Sequence, residues 1–249
     1  MKRGLQIGHL LSLDVAIGAV CCAIFFGQKN NITLLVLGVS TWLLYLADRL
    51  MDVRQQPALS TERHQFHRQN VRKIIILIGI LAIFDVFLLF FLPKEILKIG
   101  FLIGLSVLIY GLLIFYFKIN FIVLKEISVA IIYTVAVSIG RPVNLELIGF
   151  GLVVFQSLLV FSKYEILENP TAQNIVSKFG FYTYFSVQIT VVSLIGLLFI
   201  FRIDAATMIL LIMAILNFSL EIHHRYLLKN ERYRLLGELF FWLPILMIL

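Results

Sequence analysis

Nine stretches of this chain stay apolar, and nearly free of charge, for about the thickness of a lipid bilayer. They run over 9–26, 32–51, 74–92, 98–117, 124–140, 145–162, 179–201, 205–221 and 235–249. Crossing a bilayer core takes roughly 20 helical residues. Within that core every backbone N–H and C=O must be satisfied by the chain itself, so spanning segments are helices or closed barrels. Runs this long and uniformly apolar predict helices. The composition agrees: 61% of the 249 residues are hydrophobic and 14% are charged, with a mean hydropathy of +0.99. Soluble domains carry about 25% charged residues. The expected fold is all-α and integral to the membrane, a bundle of about nine transmembrane helices forming a single transmembrane domain over 1–249. Two spans are weakly marked. The fifth begins beside Lys125 and Glu126, and the last is short and carries Pro244.

The formal charge of +7 does not point to nucleic acid in so apolar a chain. Excess Lys and Arg mark cytoplasmic loops. With the N-terminus in the cytoplasm, only Lys29, Lys94, Lys98, Arg141 and Arg202 of the 21 Lys and Arg fall outside. This asymmetry sets the expected orientation, in a membrane of the bacterial inner (plasma) type. Met1-Lys2-Arg3 before an apolar run mimics a secretory signal. Asp14 inside the run, and no small-residue cleavage site, predict that it is retained. Val20 before Cys21 also fails the lipoprotein pattern. The only two cysteines, Cys21 and Cys22, are adjacent on a helix and read as small packing residues rather than a disulfide.

The expected external connections, 27–31, 93–97, 141–144 and 202–204, are short. The long ones, 53–73, 163–178 and 222–234, are all cytoplasmic, and long loops concentrate function where they gather. Asp48 and Asp52 end the second span on that side. They are i,i+4 neighbours on one helix face, with Tyr45 one turn below. Two such carboxylates suit Mg²⁺, which keeps waters and bridges to substrate phosphates. Arg49, three residues before Asp52, offers the alternative of a helix-end ion pair. Glu165 and Glu168, beside Tyr164 after the sixth span, are a candidate second pair, or else a solvated loop start with Lys163 as partner. The first long loop contains Thr61-Glu62-Arg63-His64-Gln65-Phe66-His67-Arg68. Arginine can clamp a diphosphate bidentately; the same loop can simply face anionic lipid. His64 and His67 share a helical face and are candidates for metal binding or proton transfer. Lys125 can reach a phosphate at the rim or snorkel. Asp85, midway along the third span, should face the bundle interior, protonated or paired with a hydroxyl. Glu238 has Arg234 one turn away. Gly100 and Gly104 form a GxxxG pair, with Gly111 beyond, that suits helix packing.

Leu44-Tyr45-Leu46-Ala47-Asp48-Arg49-Leu50-Met51-Asp52 resembles the NDxxDxxxD motif of the UbiA-type intramembrane prenyltransferases. That motif ends the second helix of a nine-helix bundle, and a second aspartate motif follows the sixth. The last two aspartates match; Leu44 and Tyr45 stand where Asn-Asp would. Leu11-Ser12-Leu13-Asp14-Val15 with Gly18-Ala19, and Lys125 near the fifth span, are also similar to family sequence. Glu165 and Glu168 replace aspartates, at a spacing of three rather than four. The resemblance implies an isoprenyl diphosphate and membrane lipid as partners, with Mg²⁺ held by Asp48, Asp52, Glu165 and Glu168. It implies diphosphate contacts from Arg63, Arg68 and Lys125 and a substrate contact from Tyr164. Ionisation of the allylic C–O bond then leaves a carbocation that an acceptor captures. Tyr45 takes the place of the missing aspartate as a hydrogen-bond donor, which would alter acceptor chemistry or favour cyclisation. The expected activity is prenyl transfer at the cytoplasmic face. The alternatives are a non-catalytic protein of the same fold, for lipid or isoprenoid binding or assembly, and an isoprenoid cyclase. A transporter using Asp85 and Glu238 would need helices broken at mid-membrane, whereas Pro142 and Pro244 lie near ends.

Overall fold

The computed structural model describes residues 8–55, 62–115, 122–170, 172, 174–221, 224–228 and 231–247. Lys2, Arg3, Lys118 and Lys229, which contribute to the expected orientation, lie outside the described residues. Among those described, all regular structure is helical. The α-helices are α1 (Leu13–Phe25), α2 (Asn31–Gln55), α3 (Glu62–Gln69), α4 (Val71–Leu89), α5 (Lys94–Phe115), α6 (Ile122–Val137), α7 (Leu145–Glu168), α8 (Ile175–Phe201), α9 (Ala205–Ser219), α10 (His224–Leu228) and α11 (Arg232–Phe240). A 3₁₀ turn, Leu243–Met247, follows. Among the described residues, four stretches are long and apolar enough to cross a membrane: Asn31–Arg54, Lys94–Leu113, Leu145–Glu168 and Ile175–Phe201. α1 and α9 are apolar but shorter. α4 has 19 residues but carries Arg72, Lys73 and Asp85.

The helices differ from the expected spans at several ends, and α3 and α10 stand in the long connections expected at 53–73 and 222–234. Residues 8–10 are helical, but a turn at 11–12 separates them from α1, closed by Ser12 N donating to His9 O at 3.0 Å. Ser12 takes a left-handed φ of 57°. α7 continues six residues past its expected end, so Glu165 and Glu168 are helical rather than in a loop. The expected span 179–201 begins where α8 breaks: Gly180 has φ 81° and ψ 163°, a conformation in which a Cβ is strained. The last expected span is not one helix. Phe241 N donates to Glu238 O and Trp242 N to Leu239 O, the i→i−3 pattern that tightens a helix end. Pro244 removes a further donor.

The chain divides into two compact units: Met1–Lys94 with Lys229–Ile248, and Glu95–Leu228 with Leu249. In the first, α1 packs on α2, α11 and the 3₁₀ turn, while α2 packs on α3 and α4. Leu46, Ile74 and Leu81 form its core with Trp42, Leu50, Phe66 and Leu77 around them. Gly18 lets α1 approach the 240s closely, since a Cβ there would lie 3.0 Å from Phe241 Cβ. Cys21 and Cys22 are free and buried, the packing role expected, and Cys22 Sγ lies 3.3 Å from Phe241 O. Asp85 finds its hydroxyl: Ser40 Oγ donates to it at 2.6 Å.

In the second unit α7, α8 and α9 pack against one another, and α6 joins α7 and α8. Leu159, Ile175, Val176 and Tyr184 form a core cluster. Fully buried Gln156 and Gln188 tie these helices together. Gln156 Nε2 donates to Ala214 O at 3.1 Å, and Gln188 Nε2 to Gln156 O at 3.3 Å. Of the GxxxG pair, a Cβ on Gly100 would lie 3.9 Å from Ile139 Cδ1. A Cβ on Gly104 or Gly111 of α5 would meet no described atom within 4 Å.

Candidate functional site

The polar centre of the first unit begins with the burial pattern of α3. This helix turns charge inward. Arg63, His64 and His67 are buried, while Gln65, Arg68 and Gln69 are exposed. Residues 63 and 67 are one turn apart, so they share a face. Burying a guanidinium costs several kcal/mol unless it is well partnered.

Arg63 is 2% exposed and is held at three points. Its backbone N donates to Glu231 Oε1 at 3.3 Å. Its Nη2 donates to His9 O at 3.3 Å and lies 3.2 and 3.3 Å from Nδ1 and Nε2 of the His9 ring. His9 Nδ1 in turn lies 2.5 Å from Asp14 Oδ2. Asp14 Oδ1 accepts from Val15 N at 3.1 Å, and Trp242 Nε1 donates to Asp14 O at 2.9 Å. Nε and Nη1 of Arg63 are buried and have no hydrogen-bond partner among the described residues. The same is true of Nε of Arg49 and Nε2 of His67. His67 Nδ1 donates to Arg63 O at 3.0 Å.

Electrostatics follow from this crowding. Burial, then the neighbouring Arg49 and Arg234, push Arg63 down to about 10, still protonated at neutral pH. Burial and the same two arginines push His64 down to about 4. His67 is lowered too, chiefly by burial. Both histidines of α3 are therefore neutral near pH 7, which suits hydrogen bonding or ligation better than charge.

α2 supplies the acidic side. Asp48 and Asp52 lie in its last two turns, one turn apart, both half-buried. Arg49 Nη1 donates to Asp52 Oδ2 at 3.0 Å, the helix-end pair that the sequence offered as an alternative. Tyr45 lies within electrostatic reach of Glu238, Arg49, Asp48 and Arg63. The structure thus brings Tyr45, Asp48, Asp52 and Arg63 into one unit. Arg68 belongs to the same helix as Arg63 but to its exposed face.

The other expected residues belong to the second unit. Lys125 is exposed at the start of α6, while Glu126 beside it is buried and accepts from Ser162 Oγ at 3.0 Å. Tyr164 is fully buried, and its hydroxyl donates to Leu220 O at 2.6 Å. Lys163, expected to serve Glu165, instead pairs with Glu221, which also accepts from Tyr184 Oη. Glu165 Oε2 is 3.4 Å from Asn174 Nδ2, and Glu168 is exposed.

Two carboxylates are the number that Mg²⁺ usually takes from protein when phosphate oxygens and waters complete its shell. Asp48 and Asp52 fit that donor set, with the Arg49 contact to be exchanged on binding. Among the described residues no three His, Cys, Asp or Glu side chains converge as a closed metal cage. The sequence did not single out His9 or Glu231, offered Arg234 only as a partner for Glu238, and gave Asp14 no role at this site. The one local signal was a histidine five residues before an aspartate at the mouth of an apolar run. No protein-family model, curated protein or solved structure matches the chain.

Proposed function

We propose that this chain is a UbiA-like intramembrane prenyltransferase, a bundle of about nine helices. It uses an isoprenyl diphosphate with Mg²⁺ at the cytoplasmic face. The observation that carries this reading is Arg63, a buried guanidinium with two unused donors, placed in one unit with the Asp48–Asp52 pair. Buried charges in a membrane protein are expensive and mark function. A cation with spare donors in the same unit as paired carboxylates suits a metal-bound diphosphate.

In this mechanism Asp48 and Asp52 would hold Mg²⁺, which would supply neutralising charge to the leaving diphosphate. Arg63 donates to the diphosphate oxygens and stabilises the charge that develops as the C–O bond breaks. Tyr45, at the depth of the missing aspartate, offers a hydroxyl toward the reacting end. Arg68, exposed on α3, guides the anion inward rather than holding it, while Glu165 and Glu168 remain candidates, within their own unit, for a second metal. The apolar helices house the isoprenoid chain and keep water from the carbocation. A second reading is favoured by the Arg49–Asp52 contact: a protein of this fold that binds isoprenoid or lipid without turnover.

The test is pyrophosphate release from isoprenyl diphosphates of several lengths, with and without Mg²⁺. Prenyl transfer predicts Mg²⁺-dependent release, reduced about a hundredfold by Asp48→Asn or Asp52→Asn. Mg²⁺-dependent binding with no release across the series supports the second reading. Binding that ignores both substitutions defeats the Asp48–Asp52 site altogether.

A further inference from the structure

We infer that Asp14 and His9 form a relay that positions Arg63, making both of them positioning residues of the anion site. This rests on the role of Arg63 in diphosphate binding proposed above.

The geometry is directional. A carboxylate only accepts, so His9 Nδ1 is the donor in its 2.5 Å contact with Asp14, which fixes the ring's orientation. Arg63 Nη2 is almost equidistant from the two ring nitrogens, at 3.2 and 3.3 Å. An approach in the ring plane that kept both distances would collide with Cε1 between them. The nitrogen therefore rests against the face of the imidazole, while donating to His9 O at 3.3 Å. The ring is a floor for the guanidinium, and Asp14 holds the floor level.

Asp14 is itself anchored. Its second oxygen takes Val15 N and its carbonyl takes Trp242 Nε1. The left-handed Ser12, closing the turn onto His9 O, brings His9 back over the start of α1. An uninterrupted helix would carry residues 9 and 14 five positions apart, to different faces. The turn at 11–12 is what lets the two side chains meet. Every element of the relay thus leads to one nitrogen of Arg63 and leaves Nε and Nη1 for a ligand.

A positioning role predicts that His9 acts only through Arg63, and a double-mutant cycle measures this. The probe is inorganic pyrophosphate with Mg²⁺, titrated into the full-length protein in detergent. His9→Leu and Asp14→Asn should each raise Kd by about tenfold, and Arg63→Gln by at least as much. In the Arg63→Gln background, His9→Leu and Asp14→Asn should add nothing further. His9→Phe, which keeps a flat ring but not the bond to Asp14, should fall between wild type and His9→Leu. It also serves as the second variant should His9→Leu not fold. Additive effects in the double variants, or an unchanged Kd in both His9→Phe and Asp14→Asn, overturn the relay and leave the Arg63 contact standing. An Arg63→Gln protein that binds pyrophosphate like wild type overturns the contact and the relay together.

Discussion

At the scale of single residues, the cost of α3's inward polar face is visible in its histidines. His64 titrates near 6.5 in an unfolded chain but at about 4 in the fold, because of burial and then Arg49 and Arg234, with Glu231 opposing. Between those values the unfolded state binds the proton and the folded state does not. Stability therefore falls as pH drops from about 6.5 toward 4, by up to about 3 kcal/mol for this one group. His67 shifts in the same direction and adds to the loss. The melting temperature in detergent should be clearly lower at pH 5 than at pH 7.5. His64→Gln, which cannot take up that proton, should flatten the slope. An unchanged slope in this variant would mean that His64 is not the group responsible. The pairing of His64 and His67 on a helical face was legible from their spacing. The burial of Arg63 was not, because its partners His9 and Glu231 lie 54 and 168 residues away. Local sequence carries no trace of so distant a contact.

At the scale of helices, hydropathy located most of the long elements, because a long apolar run has few alternatives, but it gave the stretches holding α3 and α10 to loops. It failed at the ends, where capping and not hydropathy decides. α8 starts at a capping box. Asn174 Oδ1 accepts from Val176 N and Ser177 N at 3.1 Å each, and Ser177 Oγ accepts from Asn174 N at 2.9 Å. The same side chain reaches back to α7, with Nδ2 donating to Ser162 O at 2.7 Å. One residue therefore sets where α8 begins and ties it to the end of α7, beside Glu165. Asn174→Ala removes both jobs and should cost about 2 kcal/mol or more. Asn174→Asp keeps the cap but replaces a donor by a charge facing a carbonyl and Glu165. If the link to α7 matters, Asp should be nearly as damaging as Ala in thermal unfolding. If only the cap matters, Asp should rescue. The break at Gly180 makes a second prediction at this scale. A Cβ there meets open space but φ is 81°, so Gly180→Ala should cost about 1–2 kcal/mol through the backbone alone.

At the scale of the whole chain, the expected orientation depends on how many helices cross between two surface points. Gln69 ends α3 on the expected cytoplasmic side, and Val143 lies in the expected external connection after α6. Both are exposed. Between them run α4, α5 and α6, and an odd number of crossings puts the two points on opposite faces. Length makes the count a real question. At 1.5 Å per residue, α5 with its 22 residues reaches about 33 Å, more than the roughly 30 Å core. α4 falls just short, and α6, with 16 residues, covers only about 24 Å. α6 crosses only if its flanking residues or a thinner bilayer make up the difference. Gln69→Cys and Val143→Cys, each in a background with Cys21 and Cys22 replaced by alanine, settle the parity. A membrane-impermeant maleimide added to intact cells should label Val143→Cys and not Gln69→Cys. In inside-out vesicles the pattern should reverse. Labelling of both from the same face means that one of the three helices, with α6 the shortest, turns back without crossing. Failure of α6 would leave Lys125 on its expected side, whereas failure of α4 or α5 would move it to the opposite one. Asp48, Asp52 and Arg63 precede these crossings and would keep theirs.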